Sequence, residues 1–512
     1  MPGLPLFRGV NDALTRLVEA LSDPARQRRA AFTVVLGYAV LWTIYGLIAK
    51  SSQDLHADTT EMVVWMREPA LGYPKHPPFP VWVMWCWFRL FPLADWSVIL
   101  LQVVNASLAI YLAFELAGEW LEREKRAAVP FLLAAIPFYN FLVLKYDANA
   151  ALVPLWPLAI WAFMRSLDTR HAGWAALAGL AAAAAMLTKY WSVFLLVALL
   201  LVALTDRRRA AYFRSLAPWV TALVFFVAVT PHVVWLVVNH FPPITWVTTR
   251  RLAVSFWDGP RSLIEFWLGT FGYASIALLL VLIFLRPSLA AIADSWFPRD
   301  QRRSAALLFW VPLALPMVPA LALNISLLSI WNMPALSLLP VLALASPLVA
   351  VTRVAATRIA ATMTIVTLIV VAASPVVAYM ALKRGVENDA AYARLAMEEA
   401  DRAWRKTEEA KPLRLIAGPF VLVSAASFYG ADQPSTFADF SHYLSPWVDD
   451  ARIAREGMVI MTATSSPWFD FTEKHLAAFP DARRTEVTLT RHWLGFESAP
   501  RRFVIAVVPP RP

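Results

Sequence analysis

The sequence predicts an all-α polytopic membrane protein with about 11 transmembrane helices and a small extramembrane α/β domain at its C-terminal end. Three observations lead there. The 512 residues are 59% hydrophobic and only 16% charged, whereas soluble domains are about a quarter charged. The mean hydropathy is +0.55. The apolar residues also fall into separate runs, many of them long enough to cross a bilayer, which takes about 20 residues each. Helices satisfy their own backbone hydrogen bonds in such a setting. Finally, residues 383–512 change character, from long apolar runs to short ones separated by charged and turn-rich stretches.

The expected spans are roughly 31–49, 96–118, 128–144, 150–165, 172–187, 190–205, 216–238, 262–285, 304–323, 328–350 and 355–382. The charges test this map. Alternate connections hold Arg123, Lys125 and Arg126, then Arg165 and Arg170, then Arg207, Arg208, Arg209 and Arg214, then Arg286, Arg299, Arg302 and Arg303, then Arg353 and Arg358. All fall on the side of the basic N-terminus, residues 1–29, and the positive-inside rule makes that side cytoplasmic. Most of the net charge of +10 is thereby accounted for as an orientation signal, so no nucleic acid partner is implied. The N-terminus does not read as a cleavable signal, because the apolar run after it is long enough to remain as a span. One cysteine, Cys86, excludes an intramolecular disulfide framework and a cysteine-rich metal site.

The map gives a membrane body over 30–382, with a large external loop over 50–95, and an external domain over 383–512. In that domain ENDAAYARLAMEEADRAWRKTEEA reads as a helix. LRLIAGPFVLV, GMVIMTA and RRFVIAVV read as strands, being short and rich in Val and Ile.

The polar residues at the external ends of the spans are the candidates for chemistry. In DLHADTTEMVVWMREPALGYPKHPPF, Asp58 and Glu61 are three apart and share a helix face. Two such carboxylates can act as base and orienter, or hold a divalent cation. They also suit a helix N-terminus, where acids oppose the dipole. In YPKHPPFPVW the prolines forbid a helix interior, so Lys75 and His76 sit on a stiff, non-helical loop. Cationic donors there suit an anionic headgroup or phosphate, and equally an interfacial anchor. In KYDANAAL, Lys145 and Asp147 lie at the water boundary, with Asp147 positioned to cap the next helix. In LTKYW, Lys189 has almost no polar cover in sequence, and an ammonium between apolar helices calls for an anion. NHFPPITWVTTRR adds His240, Arg250 and Arg251. No Walker phosphate loop, dinucleotide fingerprint, HExxH or Ser-His-Asp order is recognisable.

In this order the segments resemble the polyprenyl-phosphate-sugar-dependent glycosyltransferases of family 39, which have the GT-C membrane fold. The motifs are the acid Asp58 after the first span, GYPKHPPF, YDANAALVPLWPLAIW, and AGLAAAAAMLTKYW. NHFPPITW, SIWNMPALSLLP and, in the tail, SFYGADQPSTFADF are weaker signatures. Many members carry adjacent Asp-Glu, whereas here Thr59 and Thr60 separate Asp58 from Glu61. The resemblance implies a sugar transferase drawing on a polyprenyl-phosphate sugar donor at the periplasmic face of a bacterial inner membrane, with a lipid or glycan acceptor. It implies Asp58 and Glu61 as catalytic acids, and Lys75, His76, Lys189, Arg250 and Arg251 as phosphate-binding groups. It further implies Tyr73, Asp147 and Tyr190 as substrate-binding residues. It names no definite cofactor, and Asp58 and Glu61 are a candidate divalent-cation site. The rival readings are a flippase for lipid-linked sugars and a ligase using a diphosphate donor.

Overall fold

The computed structural model describes residues 5–251, 257–384, 389–408 and 411–511. It forms two compact units. One comprises Met1–Thr43, Leu71–Phe79 and Leu100–Ile369, and the other Ile44–Ala70, Pro80–Ile99 and Val370–Pro512.

Among the described residues seven helices are long and apolar enough to cross a membrane: Gln27–Ala49, Asp95–Ala117, Ala148–Thr169, Ala217–Val238, Asp258–Leu285, Arg303–Ala322 and Arg353–Arg384. Two further expected spans are the shorter apolar helices Ala172–Met186 and Tyr190–Thr205. The remaining two are broken. Run 128–144 is a helix, Arg123–Ala134, followed by the 3-10 turns Pro137–Tyr139 and Phe141–Val143. Run 328–350 becomes the turns Ser329–Asn332 and Ala335–Leu338 and the short helix Leu339–Leu344. Pro137, Pro334 and Pro340 lie at these breaks, and each removes a backbone donor and crowds the preceding turn. The chain is a multi-pass helical membrane protein with a small C-terminal sheet domain.

Three segments outside the expected spans contain helices. The basic N-terminus contains Pro5–Ser22. The 50–95 loop contains Ala57–Arg67 and Phe79–Leu90, so only 73–78 of YPKHPPFPVW stays non-helical. The loop expected near 239–261 contains Pro242–Arg251. In the last two helices the prolines fall in the first turn, where a missing N–H costs nothing.

In the first unit, Ala172–Met186 packs against both Ala148–Thr169 and Ala217–Val238. Its sequence, AGWAALAGLAAAAAM, lets backbones approach closely, as small residues do in membranes. A Cβ on Gly179 would lie 2.4 Å from the Thr221 carbonyl oxygen. Outward faces are apolar, with Leu223, Phe226 and Val227 exposed, as contact with lipid requires. The Arg-rich segments are tied together. Arg28 and Arg126 each lie 3.2 Å from Glu115. Arg353 pairs with Glu19 at 3.0 Å and Glu124 at 3.7 Å, and Lys125 donates to the Ser346 carbonyl at 2.6 Å. These contacts join the N-terminal segment to the 123–126 and 346–353 connections at one end of the helices, in keeping with the charge pattern.

In the second unit the tail forms a mixed sheet. Its strands are β1 (Leu415–Gly418), β2 (Ser435–Ala438), β3 (Met458–Ala463), β4 (Arg483–Leu489) and β7 (Arg501–Val508), with a separate ribbon of β5 (His492–Trp493) and β6 (Phe496–Glu497). The order is β2-β1-β3-β7-β4. β1 is parallel to β2 and β3, and β7 antiparallel to β3 and β4. GMVIMTA and RRFVIAVV are strands as expected. LRLIAGPFVLV is not one strand: it ends at Gly418, whose φ of +145° suits glycine, and Phe420–Tyr429 is a helix. The expected charged helix is Ala393–Thr407, burying Ala396, Met397, Ala400 and Trp404.

The helix Ala57–Arg67 packs on Phe420–Tyr429. Arg67 donates to the Ser427 and Pro434 carbonyls at 3.0 and 3.3 Å. Glu68 accepts from Ser435 and lies 3.5 Å from Arg452. Ahead of the helix, the Leu55 N–H donates to the Tyr429 hydroxyl at 2.9 Å, and Tyr429 donates to Asp95 at the same distance. Asp54 accepts from the Arg394 N–H at 2.9 Å. Its carboxyl is pushed up to about 6 from 3.8, by burial first, against the hydrogen bond and charge of Arg394. The folded state therefore holds this proton more tightly than the unfolded chain, so the associated stability is present below about pH 4 and lost as pH rises through about 6.

Replacing Asp54 with Asn removes that titration. The stability of Asp54→Asn relative to wild type is expected to rise between pH 4 and pH 7, by on the order of 3 kcal/mol at most. Thermal unfolding followed across that range checks it, and a pH-independent difference would show that Asp54 titrates as an ordinary carboxyl.

Candidate functional site

The proline loop is fixed at both ends. The Phe79 N–H donates to the Leu187 carbonyl at 2.9 Å, and within the loop the Tyr73 N–H donates to the His76 carbonyl at 3.1 Å. At its start, the Leu71 carbonyl accepts from His232 Nδ1 at 2.6 Å. A carbonyl can only accept, so Nδ1 carries the proton. In the neutral ring Nε2 is then the acceptor, and the Tyr190 hydroxyl, 2.8 Å away, donates to it. Gly72 faces Trp235 so closely that a Cβ would lie 2.3 Å from the indole. The loop carrying Tyr73, Lys75 and His76 is thus held beside the turn that carries Lys189 and Tyr190. The Lys75 ammonium stands over the Trp246 ring at 4.8 Å.

Lys189 is less bare than its sequence context suggests. Its ammonium donates to Asn149 Oδ1 at 2.5 Å and stands 4.7 Å from the centre of the Trp331 ring. Asn149 donates to Asp147 Oδ2 at 3.3 Å, and Asp147 lies 3.6 Å from Lys145. Asp147 caps Ala148–Thr169 by accepting from the Asn149 and Ala150 N–H groups at 2.8 and 3.0 Å. The cap expected from sequence is present, though Asp147 is buried rather than set in a solvated turn. Lys145, Asp147, Asn149 and Lys189 form a continuous chain with two ammonium groups and one carboxylate. The amide oxygen accepts from the Lys189 ammonium and the indole face attracts it, and neither of these two partners carries a charge of its own.

The two acids belong to the second unit. Asp58 lies in the first turn of Ala57–Arg67, which His56 caps by accepting from the Asp58 N–H. The Asp58 side chain is 40% exposed and stands 3.9 Å from His56 Nδ1. Glu61, one turn on, is buried. The spacing made them equivalent; their surroundings do not. The cap is His56 and not the acid pair. Among the described residues no group of three or more His, Cys, Asp or Glu side chains is gathered to hold a metal ion. Arg250 and Arg251 end the helix Pro242–Arg251, and their side chains lie outside the described residues, as do residues 252–256.

Sequence reasoning missed Asn149, His232, Trp235, Trp246 and Trp331. His232 carried a legible signal, since an ionisable residue within an apolar span points to function or a buried partner. Asn149, two residues after Asp147 at a helix start, was open to the same reading.

A model of the family described as dolichyl-phosphate-mannose-protein mannosyltransferase matches residues 75–235, the interval that holds the proline loop, Asp147, Lys189 and His232. Two curated proteins of Rhizobium johnstonii, the lipopolysaccharide core galacturonosyltransferases RgtA and RgtB, are 28% and 26% identical. The match to RgtA covers 42% of this chain and 43% of that protein, and the match to RgtB 60% and 63%. The chain therefore spans less than two thirds of the length of each. The crystal structure of ArnT from Cupriavidus metallidurans bound to undecaprenyl phosphate aligns with a TM-score of 0.61 at 17% identity, covering 92% of this chain and 97% of ArnT. Its apo form aligns at 0.58, covering 93% and 98%.

Enlarging Gly72 tests whether the loop is held as described. Gly72→Ala is expected to displace the loop from Trp235 and to destabilise the protein by about 1–3 kcal/mol, the usual cost of overpacking, read as a lowered unfolding midpoint in detergent. The fold is shared with ArnT, and the resemblance carried by the sequence motifs is matched in sequence by the family model over residues 75–235.

Proposed function

We propose that this protein is an integral-membrane glycosyltransferase that moves a sugar from a polyprenyl-phosphate carrier to a lipid or glycan acceptor at the periplasmic face. The observation that carries the reading is the polar chain ending at Lys189. It sets the Lys189 ammonium against Asn149 and the Trp331 ring, beside a stiff loop bearing Lys75 and His76. That arrangement suits a phosphate attached to an apolar tail. The similarity to lipopolysaccharide core galacturonosyltransferases, and to a fold solved with undecaprenyl phosphate, supports the same donor chemistry and a lipopolysaccharide acceptor.

In this mechanism an acceptor hydroxyl attacks the anomeric carbon of the donor. The bond between that carbon and the phosphate oxygen breaks, and its electron pair leaves with the lipid phosphate. Asp58, half-exposed at the start of its helix, takes the hydroxyl proton as general base. Lys189, with Lys75 or His76 and with Arg250 and Arg251 as further candidates, stabilises the charge that grows on the departing phosphate. Tyr73, Tyr190 and Asp147 line and orient the same region, Asp147 by holding Lys145 and Asn149. Glu61, buried one turn along the same helix, is the second catalytic candidate. The reaction uses no nucleotide, in accord with the absence of phosphate loops in the sequence.

Asp58→Asn is expected to leave a folded, membrane-inserted protein whose transfer rate falls by about 100-fold or more, the scale of general-base catalysis. The measurement is label transfer from radiolabelled polyprenyl-phosphate sugar to lipopolysaccharide in membranes. Transfer at the wild-type rate would remove Asp58 from the mechanism. Movement of label across the bilayer with no transfer would favour a flippase instead. Lys189→Ala is expected to weaken donor use, and Lys189→Arg to restore part of it.

A further inference from the structure

At the Arg-rich end of the first unit's helices lies a cavity of about 620 Å³ that the transfer reaction does not use. Its walls come from residues 119–120, the ends of Ala148–Thr169 and Tyr190–Thr205, the 206–208 turn, and residues 299–307. Five arginines line it. Two are neutralised locally. Arg208 is held by Asp206 at 2.9 Å and Asp168 at 3.3 Å. Arg302 is held by Asp294 at 2.9 Å and Asp300 at 2.8 Å. The other three, Arg207, Arg299 and Arg303, are exposed and make no ion pair among the described residues. Arg303 donates only to the Thr205 carbonyl, at 3.2 Å. The remaining wall is mixed: the carboxyl of Glu119 and the polar Thr205, Gln301 and Ser304 lie beside the apolar Trp120, Met164, Val202 and Leu307.

We propose that this cavity is a binding site for an anionic phosphate-bearing headgroup, contributed by a phospholipid of the cytoplasmic leaflet. Three arguments combine. The paired arginines with their carboxylates form a fixed frame, and the unpaired arginines add positive charge to its opening. Guanidinium groups match phosphate oxygens in a planar fork. The mixed lining suits a molecule with a charged head and an apolar body. Basic pockets at the cytoplasmic ends of membrane helices take acidic lipids in this way, each exposed cation adding to the attraction. The proposal rests on the charge pattern that assigns this end to the cytoplasm. It does not rest on the proposed transfer reaction, whose candidate residues lie elsewhere in the chain.

The test uses the full-length protein, delipidated in detergent. Phosphatidylglycerol, cardiolipin, phosphatidylcholine and inorganic phosphate are each titrated, with binding read by native mass spectrometry and by the shift in unfolding midpoint. The two anionic lipids are expected to bind and stabilise, and phosphatidylcholine to do so at least tenfold more weakly. The triple variant Arg207→Gln, Arg299→Gln, Arg303→Gln is expected to lose the anionic preference. The triple change of the same residues to Lys is expected to keep most of it and to confirm that the fold is intact. Stabilisation by inorganic phosphate at concentrations comparable to the lipids would support the anion site and identify a soluble phosphate as its occupant. Equal binding of neutral and anionic lipids by the wild-type protein would overturn the proposal, as would an unchanged preference in the Gln variant.

Discussion

An ammonium ion placed among apolar helices sets the terms for the first unit. Lys189 follows an Ala-rich helix and lies just ahead of a run of Val, Phe and Leu, whose side chains offer it no hydrogen-bond acceptor. The groups that do so come from other parts of the chain: Asn149 from the helix Ala148–Thr169, and Trp331 from a proline-broken segment near the end of the membrane body. Asp147 and Lys145 extend the network. Bringing these groups together fixes the relative placement of segments about 40 and 140 residues away, as the packing of interior charge demands. The neighbouring proline loop is then registered by backbone hydrogen bonds to Leu187 and by His232. The positive side of the proposed chemistry is therefore a product of membrane-body packing.

The acidic side is built differently. Asp58 sits on a short helix that buries Met62, Val63, Val64 and Trp65. Its first turn is capped by His56, and the chain just ahead of it is tied to Tyr429 and Arg394. Its last turn is tied to Ser427, Pro434 and Ser435. The C-terminal domain thus serves as the support for the acid helix. Its mixed sheet, with β1 central to a parallel trio and β7 pairing on both sides, keeps Phe420–Tyr429 in position to do so.

Much of this was legible in the sequence, and what was not has physical reasons. Long apolar runs declare helices because the bilayer leaves the backbone few alternatives, so the spans 31–49, 96–118 and 216–238 were readable. The runs 128–144 and 328–350 misled because hydropathy reports burial while proline decides continuity. Strands β3 and β7 stood out by their Val and Ile content, whereas β2 and β4, rich in Ser, Thr and Arg, did not. The helical spacing of Asp58 and Glu61 showed that both acids were present but not that one faces outward and the other is buried. Spacing fixes an angle around an axis, and the neighbours that fill each side come from hundreds of residues away. Asn149 and His232 could be noticed in the sequence as polar residues in apolar surroundings, but their roles could not. Their importance lies in partners that only folding supplies.

The clasp between the tail and the 54–68 segment also bears on how such proteins can diverge. The tail cannot be treated as an interchangeable appendage, because Arg67, Glu68 and Leu55 are shaped to Ser427, Pro434, Arg452 and Tyr429. A chimaera that took its C-terminal region from a distant homologue would orphan a buried guanidinium unless residues 44–70 travelled with it. Recombination at the tail junction would then be selected against, and the two stretches, some 300 residues apart, would descend as one heritable block.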